Sequence, residues 1–159
     1  MLAKYKARLV VRGDLHKDSK YQDNYAATLA TRIFRALMAI AAYFNLEMRQ
    51  FDAVNAFTNS NIDEDVYIQF PDGYGCLGKC LKLLQALYGL PRSPLLWLKE
   101  FSSKLKALGL KQSSECQCLF FNDKLILFFY VDDISILFYK RYTKEYEVFQ
   151  EKLLDAYKI

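Results

Sequence analysis

The sequence predicts an α+β fold, and three observations carry that expectation. Two apolar runs, "LILFFYV" (Leu125 to Val131) and "ISILF" (Ile134 to Phe138), flank the adjacent pair Asp132-Asp133 like the arms of a hairpin. Trp97, Leu98, Phe101, Leu105 and Leu108 recur at helical spacing. Strand-like and helix-like segments are mixed along the chain, which argues for α+β.

At 159 residues, the chain suits one domain with a real hydrophobic core. A composition 53% hydrophobic and 16% aromatic, with six glycines and three prolines, reads as folded rather than disordered. Twenty-two Lys and Arg against eighteen Asp and Glu leave +4, a mildly basic balance compatible with a polyanion partner. The basic start "MLAKYKARLV" lacks the long apolar stretch of a secretory signal. The longest apolar runs, "ALMAIAAYF" and "LILFFYV", fall short of the roughly 20 residues that span a bilayer. The expectation is a soluble, intracellular, non-secreted protein without a membrane partner.

The elements follow in order. "KYKARLVVR" is the first strand candidate, with Tyr5, Ala7, Leu9 and Val11 on one face and Lys4, Lys6, Arg8 and Arg12 on the other, Val10 among them. A polar, turn-rich segment from Gly13 to Asn24 comes next. Thr28 to Leu46 reads as a helix whose polar stripe (Thr28, Arg32, Arg35, Tyr43) is so narrow that the helix should be largely buried. "EMRQFDA" is a short strand ending at Asp52, and "DVYIQF" alternates up to the turn signal Pro71-Asp72-Gly73.

A second helix should start at Ser93, an N-cap type, with Pro94 at its first position and Gly109 as terminator. Cys116 to Phe121 and Lys124 to Val131 are strands joined at Asn122-Asp123. Thr143 would cap a last helix with Tyr146, Phe149, Leu153 and Tyr157 on one face. The cysteines, Cys76-x₃-Cys80 and Cys116-x-Cys118, lie far from the single His16, and the second pair is too tightly spaced for comfortable zinc ligands. They read as reduced, partly buried thiols.

The aspartate pair has two readings. A solvated turn is one, because Asp is a common turn former. A metal site is the other: adjacent carboxylates repel and are costly to bury together unless a divalent cation neutralises them. Mg²⁺ is hard and oxygen-seeking, and a two-metal site stabilises the attacking and leaving oxygens of an in-line phosphoryl displacement. Such a site wants a third carboxylate from a neighbouring strand. Asp52, at the end of its strand, is a candidate for that role or for an ordinary helix N-cap.

"FDAVNAF" and "YVDD" together resemble the polymerase motifs of reverse transcriptases. "YKARLVVRG", "RALMAIAAYF", "DEDVYIQFPDGY", "LLQALYGL" followed by Ser93-Pro94 and Trp97, and "LGLKQSSECQCLF" narrow the resemblance to the copia-type LTR retrotransposon family, in that family's order from about Tyr5 to Phe138. The resemblance implies a polymerase palm-like mixed or antiparallel sheet packed on helices, with part of the fingers. Residues 46–57 and 116–159 would form the palm core, and about 1–51 and 58–115 fingers and palm elements of a single partial domain lacking thumb and ribonuclease H.

The implied activity is RNA-directed DNA polymerisation, a primer 3′-hydroxyl attacking the α-phosphate of a deoxynucleoside triphosphate with two Mg²⁺ ions, Mn²⁺ being an alternative. Asp52, Asp132 and Asp133 would be catalytic, with the Ala53 carbonyl also on metal. Phe57 would lie beneath the incoming sugar, and Asn55 and Ala56 near the triphosphate. Lys6 and Arg8 would pair with its oxygens, or else be gatekeeping charges of a solvated edge strand. Tyr130 would stand at the primer end, and Arg92 in the segment that handles template and primer. Trp97 reads as core.

Two departures from the family pattern bear on substrate handling. "PRSPLLW" has Arg92 where the family has Gln and Leu95 where it has Arg, and Val54 stands where a polar or basic residue is common. Without a primer grip or thumb the chain should have weak or no activity alone. A catalytically inactive relic that binds nucleic acid or a partner is the alternative. The implied partners are an RNA or DNA template-primer, deoxynucleoside triphosphates, and the remaining Pol domains, integrase and ribonuclease H. The implied compartments are the cytoplasm, in a virus-like particle, or the nucleus.

Overall fold

A computed structural model describes residues 7–15, 24–71, 73–75 and 78–157. Its centre is a sheet of five strands: β1 (Glu47–Asp52), β4 (Lys111–Gln112), β5 (Leu119–Phe121), β6 (Leu125–Tyr130) and β7 (Asp133–Phe138). Their order is β1-β7-β6-β5-β4 and every pairing is antiparallel. The outlying pair β2 (Tyr67–Ile68) and β3 (Leu81–Lys82) forms a separate ribbon. The helices are α1 (Thr31–Tyr43), α2 (Ser93–Ala107) and α3 (Thr143–Ala156).

Alternation along the strands sorts the side chains into two faces. Phe129, Leu127 and Leu125 of β6 share one face with Ile134, Ile136 and Phe138 of β7, and all six are buried. Helices α2 and α3 cover this face. Phe101 meets Phe129 edge-on at 4.9 Å, and Tyr146 stacks on Phe138 at 4.3 Å. Trp97, Phe101, Leu105, Tyr146, Phe149, Leu153 and Tyr157 are buried there, as their helical spacing predicts. On the other face α1 sets Leu37 against Phe128 and Leu137, with Phe34 edge-on to Phe128 at 6.1 Å. The result is helix, sheet and helix pair in three layers.

Several expectations change. Among the described residues no strand begins the chain. Ala7 to Arg12 runs irregularly, Leu9 and Val10 are about half exposed, and the segment is held by the Val11 N–H donating to Tyr88 O at 2.8 Å. Helix α1 is shorter than Thr28 to Leu46 and is not largely buried: only Leu37 is, while Tyr43 stays 84% exposed and Phe34, Ile40 and Phe44 lie open. It rests on the sheet by one stripe, and no described element covers its back.

"DVYIQF" pairs only through Tyr67 and Ile68. Ser93 and Thr143 begin their helices without capping them, since each hydroxyl donates to a preceding carbonyl, Leu87 O at 2.7 Å and Lys140 O at 2.6 Å. Cys116 and Cys118 are buried free thiols. Burial, helped by Cys116, pushes the Cys118 thiol up to about 12. Tyr5, Lys4, Lys6, His16, Asp72 and Cys76 lie outside the described residues.

Candidate active site

The β6–β7 connection consists of Val131 and Asp132, between Tyr130 and Asp133. Two-residue hairpins turn with a positive φ at the first or both central residues, a demand that glycine or asparagine usually meets. Here Val131 meets it, at φ 57°. A β-branched residue in that region costs about 1–3 kcal/mol and persists where its surroundings over-determine it.

Two backbone acceptors at the tip are held from different layers. The Trp97 indole N–H of α2 donates to Val131 O at 2.7 Å, and the Ala53 N–H, just past β1, donates to Asp132 O at 2.8 Å.

The β1–β7 register pairs Asp52 with Asp133, and β6–β7 pairs Tyr130 with the same Asp133. Directly opposed residues have Cα atoms about 4.5–5.5 Å apart and point to the same face. Asp52, Asp133 and Tyr130 therefore form one row across three strands, all exposed, with Asp132 half-buried at the turn beside them. This is the face that α1 occupies further along, at Phe128 and Leu137, and no described helix covers the tip end. Residues remote in sequence thus meet at one end of the sheet.

Beyond Ala53, Asn55 takes φ 53° and starts a 3₁₀ turn, Ala56–Asn59, that sends the chain away from the sheet. The Thr58 hydroxyl donates back to Asn55 O at 2.9 Å. Ala56 is fully buried and Phe57 nearly so, while Asn55 is exposed. A cavity of about 20 Å³ is walled by Phe57, Trp97, Phe129 and Val131 among others, so Phe57 borders the hairpin tip.

Tyr88 is the residue that sequence reasoning passed over. Its ring lies 4.5 Å from that of Phe57, and the Arg8 guanidinium sits over the Tyr88 ring, 4.9 Å from its centroid. Burial raises the phenol pKa, and the negative fields of Asp132 and, more weakly, Asp52 add to that while Arg8 opposes it. Tyr88 therefore stands within electrostatic reach of both carboxylates. The neighbouring Gly89 has φ +94°, and a Cβ there would lie 2.0 Å from Val11 O, so a glycine is required for the N-terminal segment to cross at this point. The glycine of "LYGL" was the available signal; nothing in periodicity pointed to the tyrosine.

Arg8 thus reaches the site's edge through Tyr88. Arg92 does not lie open to a template strand: its side chain is only 8% exposed, and its Nη2 meets Asp63 Oδ2 at 2.7 Å. That hydrogen bond, with the charge of Arg92, holds the Asp63 carboxyl below the usual range, burial opposing. Arg92 ties the loop before β2 to the start of α2.

Among the described residues no three His, Cys, Asp or Glu side chains stand close enough to enclose a metal ion unaided. The aspartates are instead an open, all-oxygen donor set. That suits a hard cation such as Mg²⁺, which is usually bound by one or two carboxylates, with waters and substrate phosphates completing its shell.

A hairpin tip bearing carboxylates, set beside the end of an antiparallel neighbour and backed by two helices, is the arrangement of a nucleotide-polymerase palm. The whole chain, residues 1–159, matches the family described as reverse transcriptase (RNA-dependent DNA polymerase), and it belongs to that family. It is 32% identical over 145 residues to the Retrovirus-related Pol polyprotein from transposon TNT 1-94 of Nicotiana tabacum, covering 86% of this chain and 11% of that protein. It is 30% identical over 138 residues to the Transposon Ty1-BL Gag-Pol polyprotein of Saccharomyces cerevisiae, covering 86% and 8%. These relatives are copia-type Pol polyproteins, and the chain spans about a tenth of their length. No solved structure matches the chain. Among the described residues no helix is long and apolar enough to cross a membrane.

Proposed function

We propose that this chain holds the nucleotidyl-transfer site of an RNA-directed DNA polymerase, formed by Asp52, Asp132 and Asp133. The observation that supports this best is the pairing of Asp52 with Asp133 across β1 and β7, with the Ala53 N–H fastening the Asp132 carbonyl beside them. Asp52 and Asp132 are the main candidates to hold two Mg²⁺ ions, assisted by Asp133 and the Ala53 carbonyl. Bound there, the metals would lower the pKa of the primer 3′-hydroxyl and spread charge on the phosphate oxygens.

The chain's own groups position the reactants. The Phe57 ring, backed by Tyr88, would meet a ribose 2′-hydroxyl and so favour deoxynucleotides. Asn55 and Ala56 border the triphosphate, Arg8 with Lys6 pairs with its oxygens, and Tyr130, in the same row as the carboxylates, faces the primer end. Template-primer and deoxynucleoside triphosphates are the substrates, and the other Pol domains the partners. Residues 46–57 and 116–159 make up the palm core.

The test is primer extension on poly(rA)·oligo(dT) with Mg²⁺. Extension by the wild-type chain should fall on the order of a thousandfold or more in Asp132→Asn, the several kcal/mol that metal charge stabilisation supplies. Equal extension by both would reject the assignment. A second reading, a non-catalytic nucleic-acid-binding module, draws on the burial of Arg92 against Asp63. It expects salt-sensitive template binding with no extension by either protein.

A further inference from the structure

We infer that Trp97 is a positioning residue for the hairpin tip: by holding the Val131 carbonyl, its indole N–H keeps the turn in the form that brings Asp132 beside the end of β1. The catalytic consequence rests on the proposed role of Asp132; the structural claim does not.

Four observations lead to it. Val131 occupies the first turn position, where a two-residue hairpin favours glycine, and no glycine is present to make the positive φ easy. The turn therefore needs an external hold, and the 2.7 Å bond from Trp97 Nε1 to Val131 O supplies one at that residue. The donor itself is fixed. Trp97 is 1% exposed, stacked on Phe101 at 4.9 Å and 14°, with Tyr157 edge-on at 5.5 Å. The next carbonyl, that of Asp132, is held by Ala53. Successive peptide groups at the tip are thus tied to α2 on one side and to β1 on the other. Helix α2 sets the turn, and the turn sets the carboxylate.

A Trp97 that merely filled the core would be equally buried, so the test must separate the hydrogen bond from the packing. This is the chain's single tryptophan. Biosynthetic replacement by β-(3-benzothienyl)alanine therefore keeps the ring's shape and removes only this donor, and Trp97→Phe is the genetic counterpart. Each is made with and without Val131→Gly, since glycine adopts the turn without help while leaving any packing loss in place.

In primer extension kcat should fall about tenfold, roughly 1.4 kcal/mol, with KM for the deoxynucleotide within about twofold; Val131→Gly should restore most of the loss. In parallel, amide exchange at Ala53, whose N–H reads the Asp132 contact directly, should speed up about tenfold, the same 1.4 kcal/mol, and recover with the glycine. Unchanged kcat and unchanged Ala53 exchange on loss of the donor overturn the inference. So does a loss that glycine fails to restore. Absence of extension by the wild-type chain counts against the proposed function alone, and the Ala53 exchange then decides the positioning role.

Discussion

The β1–β7–β6 end of the sheet and the segment from Ala7 to Leu15 both border the candidate site, yet they are held in opposite ways. The carboxylates Asp52 and Asp133 extend strands whose neighbouring residues, Phe51, Ile134 and Phe129, point the other way into a core sealed by α2 and α3. Arg8 stands on a segment that, among the described residues, has no strand of its own and is docked by the backbone hydrogen bond from Val11 to Tyr88 and the crossing at Gly89. Paired strands hold the carboxylates at fixed geometry, whereas the segment carrying Arg8 can shift at little cost to the core.

The largest test of this contrast is in the sheet. Leu127 is fully buried at the middle of β6, and Leu127→Ala should cost about 2–5 kcal/mol in urea unfolding. A loss below about 1 kcal/mol would mean the strands do not share the core described. Gly89→Ala comes next. The positive φ and the 2.0 Å approach to Val11 O force the N-terminal segment away, at about 1–3 kcal/mol locally. Its signature should be a raised KM for deoxynucleotide with kcat little changed; a matching fall in kcat would show that the two regions are not separable.

Asp63→Asn is smaller, roughly 1 kcal/mol with solvent screening included, and carries a pH signature. The Asp63 carboxyl is depressed by Arg92, so its contribution is complete above about pH 4 and is lost as pH falls through the depressed folded value. The variant's stability should therefore be flatter on the acid side than the wild type's. An identical acid limb in both would remove the ion pair from the account. Smallest is Arg12→Ala. Its partner Asp14 and the guanidinium are mostly solvated, and thermal melts should overlay the wild type's.

Legibility in the sequence followed the same divide. β1, the β6–β7 hairpin, α2 and α3 showed themselves because alternation and helical spacing are direct imprints of a two-sided core. The convergence of Asp52 with Asp132 and Asp133 was readable through the resemblance to reverse transcriptases. Helix α1 was misjudged because an apolar surface states a capacity for burial and not that a cover exists. Of the strand expected over Lys4 to Arg12, the described part, Ala7 to Arg12, is irregular because alternation needs a partner edge, and the Val11 N–H meets a loop carbonyl instead. The Phe57–Tyr88 contact, the Arg92–Asp63 pair and the Trp97–Val131 bond were invisible for one reason: each joins segments with no shared period.

The pairing of Asp52 opposite Asp133 has a further consequence for how such a gene can decay. Because side chains alternate, inserting or deleting one codon within β7 would swing Asp133 toward the helices and leave Ile134 facing water. Frame-preserving length changes in this strand would ruin solubility and chemistry together, whereas point substitutions could silence the carboxylates one at a time in a molecule that still folds.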